Sequence, residues 1–185
     1  MKELAKYIFR GLKYRYKIDP NEINYILKNI KEGNILVDIG ANKGGYLYWM
    51  QKKVSRRGIV YAFEPQEKLF NYLNKISALR KYSNVVIENL GMSSNEREVS
   101  FFIPQSAKGD SQGARIDCLN DGTLFDELRI KTTTLDKYFF DQQIYPDLIK
   151  IDVEGHEKQV IYGGSKLLKC FKPTILLECE NRHLE

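Results

Sequence analysis

Apolar and polar residues follow two rhythms along this chain, and the places where one gives way to the other mark its elements. Ile35-Leu36-Val37-Asp38-Ile39 is apolar at almost every position and runs straight into Gly40-Ala41-Asn42-Lys43-Gly44-Gly45. A segment apolar on both faces reads as a buried parallel strand, and the glycine-rich stretch as a turn into a helix. The strand pattern recurs at 59–63, 85–87, 148–151 and 174–177. Between these runs the spacing is helical. The helix opening near Gly44 carries Leu47, Tyr48 and Met50. Residues 66–80 place Leu69, Phe70, Leu73, Ile76 and Leu79 on one side, and a helix over about 157–168 is shortened or bent by Gly163-Gly164. Pro65 suits a helix start, where its missing N–H is no loss. Strand and helix alternate, which predicts right-handed crossovers and a parallel sheet.

Two regions depart from that alternation. Residues 1–18 are rich in Lys, Arg and Tyr, with Leu4, Ile8 and Leu12 recurring every four residues and Tyr7 and Phe9 widening the apolar side. Such a basic amphipathic segment can lie on an anionic membrane or cover the main sheet, and cover is the simpler reading. Pro20 ends or interrupts it. Residues 21–32 form a second helix with Ile23, Ile26, Leu27 and Ile30 inward, closed by Gly33-Asn34. Residues 1–32 thus make a helical cover, and residues 33–185 the main domain. Within that domain an insertion is expected at about 93–134. There Val99-Ser100-Phe101-Phe102-Ile103 alternates, 105–113 is polar and glycine-bearing, and Thr132-Thr133-Thr134 is extended, which predicts a small hairpin and a mobile loop. Leu135 to Phe140 reads as a short helix capped by Thr134.

A length of 185 residues suits one sizeable core, and a net charge of +5 permits anionic partners without demanding them. The sequence shows no membrane-length apolar run, secretory signal pattern or metal-type cysteine spacing. Cys118, Cys170 and Cys179 read as reduced thiols, the last two in or beside apolar runs where burial is ordinary, and the protein as cytoplasmic. Twelve tyrosines among basic residues could stack bases. Their helical and strand spacing makes packing the simpler account, so no nucleic-acid partner is expected.

The chemistry is concentrated at strand ends. Asp38, Glu64 and Asp152 each close a strand, and a parallel sheet brings those ends to the edge where open α/β sheets bind ligands. Gly40 lets the backbone turn sharply and approach a ligand closely. The turn is neither a dinucleotide fingerprint, since Asn42 replaces its middle glycine, nor a phosphate loop, since Tyr46 and Leu47 follow Gly45. A small ligand held by an acidic residue fits better. Glu64, one strand–helix–strand unit after Asp38, can accept two hydrogen bonds from a ribose diol. Asp152, Glu154, His156 and Glu157 crowd one loop and could position an acceptor, act as a base or bind a metal. Neighbours on one loop rarely converge on an ion, so no metal is expected. Lys150, in an otherwise apolar strand, needs a partner among these carboxylates.

These residues carry a resemblance. Val37-Asp38-Ile39-Gly40-Ala41-Asn42-Lys43-Gly44, Phe63-Glu64-Pro65, Asn89-Leu90-Gly91 and Thr134-Leu135-Asp136 are similar to motifs of the FkbM-type family of S-adenosylmethionine-dependent methyltransferases. The most specific match is Ile149-Lys150-Ile151-Asp152-Val153-Glu154-Gly155-His156-Glu157, and the likeness covers roughly residues 33–180. It implies an α/β fold with a doubly wound, mostly parallel sheet, of the class I (Rossmann-like) methyltransferase type, and S-adenosyl-L-methionine as cofactor. It implies that Asp38, Gly40 and Asn42 meet the methionine part, that Glu64 binds the ribose hydroxyls, that Asn89, Leu90 and Gly91 lie near the adenine, and that Asp152 faces the sulfonium. Ala41, Gly44 and Pro65 belong to the same cofactor-binding set. The implied activity is O-methylation of a sugar or natural-product hydroxyl. Asp152, Glu154 or His156 is the candidate base, with Lys150 in the same catalytic cluster. A non-catalytic S-adenosylmethionine-binding module and a nicotinamide-dependent oxidoreductase are the alternatives, and Asn42 opposes the second.

Methyltransferases of this fold usually continue past the fifth strand with a helix and an antiparallel pair. This sequence stops at Asn181-Arg182-His183-Leu184-Glu185, whose last two residues resemble an expression-vector remnant. Without that pair, the run at 174–177 would be an apolar edge strand. Such an edge invites pairing with a second copy of the chain, unless residues 1–32 fold back over it.

Overall fold

The computed structural model describes residues 2–105, 113–116 and 123–178. Helix α1 (Lys2–Lys13) passes through a π-helical turn (Tyr14–Ile18) into α2 (Pro20–Asn29). Strand β1 (Ile35–Ile39), α3 (Gly45–Val54), β2 (Ile59–Phe63), α4 (Glu67–Arg80) and β3 (Val85–Glu88) then alternate. Three further strands follow, β4 (Gly91–Met92), β5 (Arg97–Pro104) and β6 (Phe125–Thr133), and then a π-helical turn at Asp136–Phe140. The described chain closes with β7 (Leu148–Ile151), α5 (Glu157–Tyr162), α6 (Ser165–Phe171) and β8 (Thr174–Leu177).

The main sheet has the order β3-β2-β1-β7-β8, and all of its pairings are parallel. The chain winds outward from β1 through β2 and β3, then restarts on the other side of β1 with β7 and β8. The switch point therefore lies between β1 and β7, the crevice where ligands of doubly wound sheets bind.

Strand alternation sends side chains to two faces. Leu36, Val60, Ala62 and Leu148 pack with Ile23, Ile26 and Ile30 of α2, Leu47, Met50 and Val54 of α3, and Leu73 of α4. Val37, Ile39, Phe63, Ile149 and Ile151 face the other way, against Leu135, Phe139, Val160 and Leu167. Both faces of the sheet are thus covered, as the uninterrupted apolar runs require. A second, three-stranded sheet, β4-β6-β5, hangs from the end of β3, with β5 antiparallel to β6 and β4 parallel to it. Its own small core is Val99, Phe101, Ala114 and Ile130.

Several expectations are corrected. On α1, Tyr7 is buried and Leu4 and Ile8 are half-buried as expected, but Leu12 is exposed, Phe9 is 69% exposed, and the place of Leu12 in the buried face is taken by Gly11. Apolar periodicity misses this because the deciding residue is a glycine. A Cβ on Gly11 would stand 2.5 Å from the Tyr48 ring, and the Gly11 carbonyl accepts a 2.6 Å hydrogen bond from Trp49 Nε1. Leu79 of α4 is exposed. The helix expected over about 157–168 is shortened at the glycines, as one form of that expectation had it, and a second helix follows, the ends of α5 and α6 meeting at Gly163 and Gly164. Cys170 lies on α6 and is exposed, not buried. Residues 1–32 pack chiefly on the other helices, α1 on α3 and α4 and α2 on α3, while Leu176 of β8 packs against the cluster that contains Ile23, Ile26 and Ile30 of α2. The expected mobile loop across 106–112, Cys118, Cys179 and residues 181–185 lie outside the described residues.

Candidate active site at the switch point

The β1 turn is fixed by the second strand. The N–H groups of Gly40 and Ala41 both donate to the Phe63 carbonyl, at 3.1 and 3.0 Å. Gly40 has φ +79, and a Cβ there would stand 1.9 Å from the Asp152 carbonyl oxygen, so no other residue fits between β1 and β7. Asn42 follows at φ +49, a conformation that asparagine tolerates better than most residues. Its N–H donates to Glu64 Oε2 at 2.8 Å, while Glu64 Oε1 accepts the Gln66 N–H at 3.0 Å. Glu64 is 3% exposed, and burial, only partly offset by those two N–H groups, pushes its carboxyl up to about 7. It therefore ties the β1 turn to the start of α4 and titrates near neutrality.

The register explains the odd lysine. Asp38 of β1 lies directly opposite Lys150 of β7, on the same face of the sheet. Lys150 Nζ is 3.7 Å from Asp38 Oδ1 and 2.7 Å from Asp152 Oδ2, and sits 4.6 Å from the Tyr46 ring centroid. Burial works against the ammonium, but the carboxylates of Asp152 and Asp38 outweigh it and raise the lysine above its ordinary value. Asp38 is fully buried, and burial raises its carboxyl despite Lys150. Two acids thus share one buried cation, an arrangement that leaves the crevice anionic.

The loop after β7 is held by its own acid. Glu157 Oε1 accepts the N–H groups of Val153 (3.3 Å) and Gly155 (3.0 Å), which bends 152–157 back toward the sheet. Glu154 takes φ +52 and accepts the Gly113 N–H at 3.0 Å, reaching the inserted sheet. His156, buried at the start of α5, has Nε2 3.0 Å from the hydroxyl of buried Ser93. Among the described residues no group of three or more His, Cys, Asp or Glu side chains is gathered to hold a metal ion.

All of this opens into a cavity of about 980 Å³. Asp38, Gly40, Ala41, Asn42, Glu64, Pro65, Leu90, Gly91, Lys150, Asp152, Glu154 and His156 line it. Gly44 and Asn89 do not. Gly44 is packed under the Tyr7 ring, and the Asn89 amide donates to the carbonyls of Glu64 and Pro65 at 3.0 and 2.9 Å, bracing one strand exit against another. The sequence reading missed three charged groups of the lining: Asp19, Glu178 and Arg115. Burial raises the carboxyl of Asp19, which bonds Tyr46. Glu178, exposed at the rim, is pushed up to about 7 by partial desolvation and by the Asp152 charge. Glu178 closes β8, so the rule that strand-end acids share one edge would have found it. Asp19 and Arg115 come from segments with no such signal.

The comparisons with known proteins agree with this geometry. The model of the methyltransferase FkbM domain matches residues 38–185. The chain is similar to the hexuronic acid methyltransferase AglP of Haloferax volcanii, with 27% identity over 152 residues, which are 82% of this chain and 58% of that protein. Among solved structures it is similar to a methyltransferase FkbM from Methylobacillus flagellatus, with a TM-score of 0.55 and 17% identity over 96% of this chain and 44% of the other, a likeness of fold. The chain thus spans about half the length of the relatives it matches.

Proposed function

This chain belongs to the FkbM family of methyltransferases, and we propose that it transfers a methyl group from S-adenosylmethionine to a hydroxyl of a small, sugar-type acceptor. The observation that carries this reading is the pair of buried acids, Asp38 and Glu64, at the ends of adjacent parallel strands on either side of the Gly40 turn, opening into one cavity. The cofactor presents a sulfonium, an ammonium and a ribose diol. An anionic crevice whose one buried lysine is already held by two carboxylates suits those groups.

When bound, S-adenosylmethionine supplies an electrophilic methyl carbon on a positively charged sulfur. Glu64 accepts hydrogen bonds from the ribose hydroxyls through lone pairs that its two backbone partners leave open. Asp38, Gly40, Ala41 and Asn42 surround the methionine end, and Pro65, Leu90 and Gly91 the adenine. Gly44 and Asn89 act at one remove, by packing and bracing. Asp152, 30% exposed at the crevice and positioned by Lys150, takes the hydroxyl proton, and Glu154 and His156 share its side of the cavity. Most of the acceleration comes from alignment and exclusion of water. The similarity to a hexuronic acid methyltransferase supports a sugar-type acceptor.

The outer edge of β8 makes no strand pairing among the described residues, and Leu177 is half-exposed there. That edge supports pairing with a second copy of the chain. The cofactor reading is tested by calorimetric titration of S-adenosylhomocysteine. Glu64→Ala is expected to weaken binding by more than ~1 kcal/mol through lost charge-assisted hydrogen bonds. Unchanged affinity would remove Glu64 from the ribose site.

A further inference from the structure

We propose that Arg115 is the recognition residue for an oxyanion on the acceptor, a carboxylate or a phosphate, so that this enzyme prefers a negatively charged substrate. The proposal rests on the methyl-transfer reading above for the word acceptor; the anion site itself does not. Arg115 stands in the cavity wall built by the inserted sheet. Its backbone is pinned to β5 by a reciprocal pair of hydrogen bonds with Phe102, at 2.7 and 2.9 Å. The residue is only 6% exposed, and its Nε donates to the Gly113 carbonyl at 3.2 Å.

Among the described residues no carboxylate forms an ion pair with it. Neither terminal nitrogen of Arg115 makes a hydrogen bond among those residues. Glu154 reaches the same segment but directs its Oε1 at the Gly113 N–H. Phe101, Ala114, Ile116 and Ile130 line the same part of the cavity. A guanidinium held in such a wall without an anion is costly, and an anionic ligand arriving in the cavity would offset that cost. Its planar fork matches carboxylate and phosphate oxygens two at a time.

The only other Lys or Arg among the described lining residues, Lys150, is committed to Asp152 and Asp38. The described lining is thereby divided by sign, with acids at the strand ends and, among the described residues, one cation without an ion-pair partner beside the inserted sheet. The cavity volume, about 980 Å³, is at the upper end of the roughly 300–1,000 Å³ usual for one ligand, which leaves room for an acceptor beside the cofactor.

The test compares methyl glucuronide with methyl glucoside, which differ in a carboxylate against a hydroxymethyl group, and adds inorganic phosphate as a third probe. Each is titrated into the full chain, with and without saturating S-adenosylhomocysteine. Methyl glucuronide or phosphate should bind at least tenfold tighter than methyl glucoside. Arg115→Gln should abolish that preference while changing S-adenosylhomocysteine affinity by less than twofold, which also reports an intact fold. Arg115→Lys, which keeps the charge and loses the fork, should retain part of the preference.

The proposal is overturned if no anion binds in an Arg115-dependent way, or if charged and neutral sugars bind alike. It is also overturned if Arg115→Gln instead weakens S-adenosylhomocysteine, since the guanidinium would then serve the cofactor's own carboxylate. Failure of the wild-type chain to bind S-adenosylhomocysteine would defeat the methyl-transfer reading and leave the titrations without cofactor to decide the anion site.

Discussion

The strand-end floor of the cavity and the inserted sheet that walls it hold their charges in different ways. On the floor, β-sheet register sets Asp38 opposite Lys150, Asp152 follows at the end of β7, and the two acids share one buried cation. In the wall, Arg115 is pinned by two backbone hydrogen bonds, and among the described residues it has no ion-pair partner. Such a floor is organised before any ligand arrives and keeps an excess of negative charge. Such a wall is completed by what binds. Groups common to every turnover belong to the first kind of site and groups that distinguish substrates to the second.

Replacing the two cations should separate the regions most sharply. Lys150→Met leaves Asp38 and Asp152 buried or half-buried without a cation and should cost about 3–5 kcal/mol in urea unfolding. Arg115→Met orphans no carboxylate and should cost less than about 1 kcal/mol, or stabilise. Equal losses would erase the distinction.

A pH series probes the floor next. The Glu64 carboxyl is raised from 4.5 to about 7 in the fold, so its proton is bound more tightly folded than unfolded. Its contribution to stability is full below the unfolded value and is lost as pH rises through the folded one. Between about pH 4.5 and 7 this group alone should cost roughly 3 kcal/mol, and Glu64→Gln should remove that slope from a series of unfolding curves. Asp152→Asn should lower turnover by on the order of a hundredfold while barely moving cofactor affinity, the mark of a proton-accepting group. Turnover that survives would move the base to Glu154 or His156.

The smallest effect is expected at the edge. Leu177→Lys should change stability by no more than about 0.5 kcal/mol and weaken any concentration-dependent association seen by sedimentation. Leu176 is the poorer choice because it packs against the core.

How legible each region was in the sequence follows from the same contrast. The five main strands could be read because their apolar runs are continuous and end in Gly, Pro or an acid, and parallel pairing then puts Asp38, Glu64 and Asp152 on one edge. Lys150 drew attention as a charge in an apolar strand, though its facing of Asp38 depends on register. The wall was only half legible. The alternation of Val99 to Ile103 was visible, but the pairing of Phe102 with Arg115 is decided by tertiary contacts that leave no period in a polar, glycine-bearing stretch. One residue of the buried face of α1 was hidden for a related reason: Gly11 carries no hydrophobic signal, yet its small size is what admits Tyr48 and Trp49.

The central claim, that the Glu64 carboxylate meets the ribose hydroxyls of S-adenosylmethionine, is tested most directly by proton release on binding. With its carboxyl near 7, Glu64 is about half protonated at pH 7, and hydrogen bonds from the diol to its ionised form should expel that proton. Titration of S-adenosylhomocysteine in buffers of different ionisation enthalpy should therefore show about half a proton released per site at pH 7, and close to none for Glu64→Gln, whose affinity should also be weaker. Binding of equal strength in both proteins, with no proton released by either, would contradict the account.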